Sequence, residues 1–127
     1  MATRIGGNFL FPRDARIDTA ALIDWELWEV APAANDLAYH IALWSWPERR
    51  HRLELPLLRT YHSELQRWGV NDYAWETCVQ DYRLFVAKLP LGVAWMWHRH
   101  LAPLVWWDNL ERAVLAFDDL DCAQLLE

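Results

Sequence analysis

The sequence predicts a mainly α fold in which a short β-hairpin leads into a helical bundle. Three observations carry that expectation. Two short apolar runs, Asn8-Phe9-Leu10-Phe11 and Ala20-Ala21-Leu22-Ile23-Asp24-Trp25, sit either side of a Pro12-Arg13-Asp14 turn. From Pro32 onward the apolar residues recur at helical spacing. With 127 residues, the chain has room for one sizeable core and not two.

The helical elements follow in order. Asn35 or Asp36 can N-cap a helix reaching about Trp46, with Leu37, Ile41 and Trp44 on one face. Pro47 ends that helix or opens the next. A second helix covers about 48–68, its stripe being Leu57, Leu58, Tyr61, Leu65 and Trp68. Pro56 is expected to kink or divide it, and Gly69 suits the position just past its end. A third helix starts at Asn71 or Asp72. Its stripe Trp75, Val79, Tyr82, Val86, Leu89 alternates steps of four and three. Pro90 and Gly92 are expected to kink it before it runs on towards His100. A fourth helix runs from Pro103 or Asp108 to Phe117, and a short last one covers about 120–126.

Composition narrows the function classes. Hydrophobic residues make up 54% and charged ones 24%, which fits a folded chain. The net charge of −6 excludes a general attraction to nucleic acid or anionic lipid and leaves a local basic patch open. The expected partners therefore include no nucleic acid and no membrane. No apolar segment opens the chain as a signal peptide would, and the longest apolar run, 84–97, is interrupted by Lys88 and Pro90. Cys78 and Cys122 form no CxxC pair and read as two reduced, buried thiols of a cytoplasmic protein. Ten Trp are expected mostly in the core or at an interface.

Two fragments carry chemistry. Asn8 bounds one short strand and Asp24 ends the other. An amide oxygen and a carboxylate near each other suit Mg²⁺, a hard cation that bridges protein to nucleotide phosphates. Other constellations are weaker. His98 and His100, two apart, point to different faces of a helix and chelate poorly. Asp118, Asp119 and Asp121 read as a solvated capping stretch. The pairs Trp44/Trp46, Trp95/Trp97 and Trp106/Trp107 read as core, with some rings facing a partner.

At these residues the sequence resembles the aminoglycoside phosphotransferase and choline kinase-like family, including its ecdysteroid kinase-like branch. Gly7-Asn8-Phe9-Leu10-Phe11 resembles the end of that family's catalytic loop. Ile23-Asp24-Trp25-Glu26 resembles its metal-binding segment, and Asn35-Asp36-Leu37-Ala38-Tyr39 is similar to the Asp-Leu-Ala run that follows. Tyr61-His62 with Leu65, Gly69-Val70 and Asp81-Tyr82-Arg83 resemble its later helices. The resemblance implies the C-terminal lobe of a protein kinase-like fold. Residues 1–30 would hold the catalytic-loop end and metal-binding hairpin, and 31–127 a helical subdomain. It implies an ATP-dependent transfer of phosphoryl to a small-molecule hydroxyl, with the acceptor between the hairpin and the helices after Asp36. It implies Asn8 and Asp24 as Mg²⁺ ligands and Asp36 as a structural brace of the catalytic loop.

The sequence departs from the family at one decisive place. Thr3 stands at the position of the catalytic Asp, and Met1-Ala2-Thr3 replaces His-Gly-Asp. A hydroxyl cannot replace a carboxylate base. No Gly-rich phosphate loop is present, and Lys88 lies in a helical stretch. The expectation is a truncated lobe, inactive alone, whose ATP and Mg²⁺ binding is in doubt. The opening codons, shifted by one base after a C, can encode His-Gly-Asp-x-His, so a frameshift near Ile5 and Gly6 is expected. The alternatives are a non-catalytic helical module that binds a partner or itself, and one half of a split kinase whose nucleotide lobe is another chain.

Overall fold

The structure is a computed structural model and describes residues 3–4, 9–11, 14, 16, 19–23 and 30–126. The chain divides into two compact units, Met1–Val30 and Ala31–Glu127.

The first unit is built on three short strands: β1 (Thr3–Arg4), β2 (Phe9–Phe11) and β3 (Ala21–Leu22). They pair antiparallel in the order β1-β2-β3. The expected hairpin is β2 with β3, in the register Phe9↔Leu22 and Leu10↔Ala21. β1 adds a third strand, with Thr3 opposite Phe11. Between β2 and β3, Asp14 accepts hydrogen bonds from the Arg16 backbone (3.0 Å) and guanidinium (2.9 and 2.8 Å). Arg16 thereby holds the Asp14 carboxyl below its ordinary value.

The second unit is helical: α1 (Ala34–Ala38), a π-helical turn (Tyr39–Leu43), α2 (Pro47–Arg67), α3 (Trp75–His98), α4 (Pro103–Asp119) and a 3₁₀ turn (Cys122–Leu126). The mainly α class therefore holds. α3 is the central element and packs against α1, α4 and both short turns. Small residues set these approaches. Ala34, Ala38 and Ala42 are fully buried at steps of four, and Ala113 and Ala116 on α4 at a step of three. Between them, α3 contributes Cys78, Tyr82, Val86, Leu89 and Val93. Its expected stripe is thus correct at Tyr82, Val86 and Leu89, with Trp75 and Val79 half-buried.

Several boundaries differ from the sequence expectation. Neither Asn35 nor Asp36 caps α1; Ala33 does, because the chain already turns at Pro32, whose carbonyl accepts from Asn35 at 2.9 Å. Pro47 and Pro103 both stand in the first turn of their helices, where no N–H is needed. α3 starts at Trp75 and not at Asn71 or Asp72, because Tyr73 is held by other partners: His62 on its carbonyl and Asp81 on its hydroxyl. Pro56 does not divide α2, nor Pro90 α3. A proline inside a helix costs about 3 kcal/mol, an amount that burial of Val86, Leu89 and Val93 around Pro90 can offset.

The helix ends are closed by matching devices. After α2, Gly69 takes φ +93°, with Gly69 N–H on Gln66 O and Val70 N–H on Leu65 O, a Schellman closure. His100 (φ 57°) closes α3 in the same way, through Trp97 O and Met96 O. Arginines tie further ends. Arg83 donates to Leu120 O (2.8 Å) and Asp121 O (2.7 Å) after α4, and Arg112 to Leu43 O (2.7 Å) after the π turn.

The largest correction concerns tryptophan. Eight of the ten Trp fall among the described residues, and none of these is buried. Trp44, Trp46, Trp68, Trp95, Trp97 and Trp107 are exposed. Helices that approach through alanine leave no room for an indole between them. Leu57 is likewise exposed, so the expected α2 stripe is buried only at Leu58.

Candidate functional site

The metal expectation belongs to the β2–β3 ladder. β2 starts at Phe9 and β3 ends at Leu22, and the pairing Phe9↔Leu22 makes these the same end of the ladder. Asn8 precedes β2 by one residue and Asp24 follows β3 by two. Both lie outside the described residues. Thr3, at the position expected for a catalytic base, lies in β1.

Asp36 is exposed in the first turn of α1. Among the described residues its carboxylate has no hydrogen-bond partner. Its negative charge beside the free N–H groups of a helix start is favourable by about 0.3–1 kcal/mol.

The helical unit holds an open cleft of about 460 Å³, walled by Tyr61 and Leu65 of α2, Val70, Asp72 and Tyr73 of the connection, Asp81 of α3 and residues 31–33. The Tyr73 hydroxyl donates to Asp81 at 2.7 Å. Burial first, and then this bond, hold the Tyr73 phenol far above its ordinary value, so it remains a donor and not a base. His62 Nε2 donates to the Tyr73 carbonyl at 2.8 Å, and its ring meets Trp75 edge-on at 5.6 Å. The acidic end of the cleft is therefore fixed by α2 and α3 together. Four of the residues singled out in sequence, Tyr61, Leu65, Val70 and Asp81, meet here.

A second polar group is structural. The Arg50 guanidinium, 1% exposed, donates to Asp119, and His51 Nε2 lies 2.9 Å from the same oxygen. Fully buried Tyr82 donates to Glu54 at 2.8 Å. Burial and the neighbouring Glu54 charge hold the Tyr82 phenol far above its ordinary value. Arg50 Nη1 is buried and has no partner among the described residues. Asp119 is thus a tertiary anchor and not simply the solvated cap expected of it. No local spacing signals these pairs, since Glu54 and Tyr82 stand 28 positions apart.

Nucleophilic chemistry has little support. Cys78 and Cys122 are free and buried, as expected, and burial pushes both thiols up from their ordinary value. Among the described residues no three His, Cys, Asp or Glu gather to hold a metal. Among the described residues no helix is long and apolar enough to cross a membrane.

Comparison with known proteins gives one positive result. The model of the ecdysteroid kinase-like family matches residues 6–70, just over half of the chain. No curated protein and no solved structure matches.

Proposed function

The chain belongs to the ecdysteroid kinase-like family, and from that premise we propose that it is the C-terminal lobe of a small-molecule kinase related to the aminoglycoside phosphotransferases and choline kinases. One observation carries the reading: the matched segment 6–70 contains all three residues singled out by their motifs, Asn8, Asp24 and Asp36. The ladder register supports it, because the two strands flanked by Asn8 and Asp24 share one end.

Asn8 would offer an amide oxygen and Asp24 a carboxylate, a donor set that fits Mg²⁺. When bound, Mg²⁺ neutralises charge on the nucleotide phosphates. The chain's own residues do the rest of this lobe's share. The β2–β3 pairing sets Phe9 opposite Leu22, and the cleft beside Tyr61 and Tyr73 offers an apolar wall with two carboxylates for an alcohol acceptor. Thr3 cannot take the acceptor proton, so this chain alone transfers no phosphoryl group.

The test has two readouts. Mn²⁺, which shares the preference for hard oxygen ligands, is titrated by spin resonance into the chain and into Asp24→Ala. Binding is expected in the chain and a loss of at least about tenfold in the variant; equal binding by both removes Asp24 from the site. ATP turnover by the chain alone is expected at background. Mg²⁺-dependent transfer abolished by Asp24→Ala would overturn the inactivity.

A further inference from the structure

α3 carries two apolar stripes on opposite sides. The inner one is Cys78, Tyr82, Val86, Leu89 and Val93. The outer one is Leu84, Lys88, Leu91 and Trp95, also at steps of four and three. Its apolar members are 55%, 71% and 58% exposed. Past the end of the stripe, Leu101 in the connection to α4 and Leu104 in the first turn of α4 are 42% and 84% exposed.

Charge along α3 beyond Asp81 and through the connection to α4 is one-sided, up to Asp108 and Glu111 on α4. From Tyr82 to Trp107 the sequence has no Asp or Glu and three cations: Arg83, Lys88 and Arg99. The rest of the chain has nine cations against eighteen acids. Arg83 is engaged at the end of α4, whereas Lys88 and Arg99 are exposed. Arg99 lies over the Trp95 ring at 5.8 Å.

We infer that the outer stripe of α3 and the α3–α4 turn dock on an anionic lipid surface. Indole rings belong at the headgroup level, where the ring sheds water and its N–H keeps a polar partner. Aliphatic Leu91 and Leu104 enter the acyl boundary, and Lys88 and Arg99 meet lipid phosphate and carboxylate. Without a spanning helix the contact is peripheral. A second copy of the chain fits less well, because a twofold pairing of this face would set cations against cations. The net charge of −6 keeps the rest of the surface off the membrane and so orients the docking.

The experiment is co-sedimentation of the chain with vesicles of phosphatidylcholine alone and with equal parts phosphatidylcholine and phosphatidylserine. Binding is expected to the mixed vesicles and to fall by more than about tenfold in Lys88→Gln/Arg99→Gln and again in Leu91→Gln/Leu104→Gln. Trp68→Gln, an exposed aromatic on α2, is expected to bind as the parent does. Circular dichroism checks that each variant keeps its helices. Absence of binding to the mixed vesicles overturns the inference, as does equal binding by the stripe variants or equal loss in Trp68→Gln. Self-association abolished by Leu91→Gln/Leu104→Gln, without vesicle binding, reassigns the face to a second copy and overturns it too.

Discussion

α2 and α3 are the two long helices, each with a proline inside, and they meet the core in opposite ways. α3 buries an apolar stripe, and its members at 82, 86 and 89 are readable as periodicity. α2 buries Arg50, Glu54 and Leu58. Periodicity of apolar residues selects Leu57, Leu58, Tyr61, Leu65 and Trp68 on α2, of which Leu58 is buried and the first and last are exposed. The difference is physical. An apolar residue is buried for its own solvation, whereas Arg50 and Glu54 are buried because Asp119 and Tyr82 receive them. The partner, distant in sequence, decides the face.

Tyr82 joins the two helices, so its removal is the sharpest test of that account. Tyr82→Ala is expected to cost about 4 kcal/mol, by emptying a ring-sized volume and leaving Glu54 without its donor. Chemical denaturation measures it; a cost near that of a surface change would break the comparison.

pH gives a second handle. Tyr82 titrates above its ordinary 10.0 and the two thiols above their ordinary 9.0 in the folded chain. A raised folded value means that stability is intact below the unfolded value and falls as pH climbs past it. Stability should therefore begin to fall near pH 9 and steepen above 10, losing about 1 kcal/mol per pH unit through Tyr82. Tyr82→Phe makes that limb shallower and leaves the share of Tyr73, whose phenol is also raised; an unchanged alkaline profile in the variant sinks the assignment.

Arg50→Met is expected to cost only about 1 kcal/mol. Asp119, at 40% exposed, rehydrates and keeps His51, while Met fills the stem volume and relieves the unpartnered Nη1. The smallest effect belongs to Trp68, 81% exposed at the end of α2. Trp68→Ala should change stability by less than about 0.5 kcal/mol. A loss of several times that would mean the sequence stripe on α2 is right after all.

The candidate site was legible in one respect and hidden in another. Asn8, Asp24 and Asp36 all fall within the matched segment 6–70, and their choice as candidates rests on sequence motifs alone. The Tyr73–Asp81 pair and the His62 contact that hold the cleft were hidden, since they join α2, a loop and α3 through contacts eight and eleven residues apart. Tyr73 lies in the connection between α2 and α3, so no single periodic element spans either pair.

Local chemistry written in the chain determined the helical class, the β2–β3 pairing, the glycine closure at Gly69 and the core of α3. Each of these depends on residues near one another or on solvation of a single side chain. Only the tertiary structure decided that the described Trp lie outside, that α2 turns an ionic face inward and that Asp119 is an anchor. Those outcomes depend on which helices approach closely, and alanine at 34, 38, 42, 113 and 116 sets that approach. An alanine stripe carries too little hydrophobic signal to be recognised until its partner helix is in place.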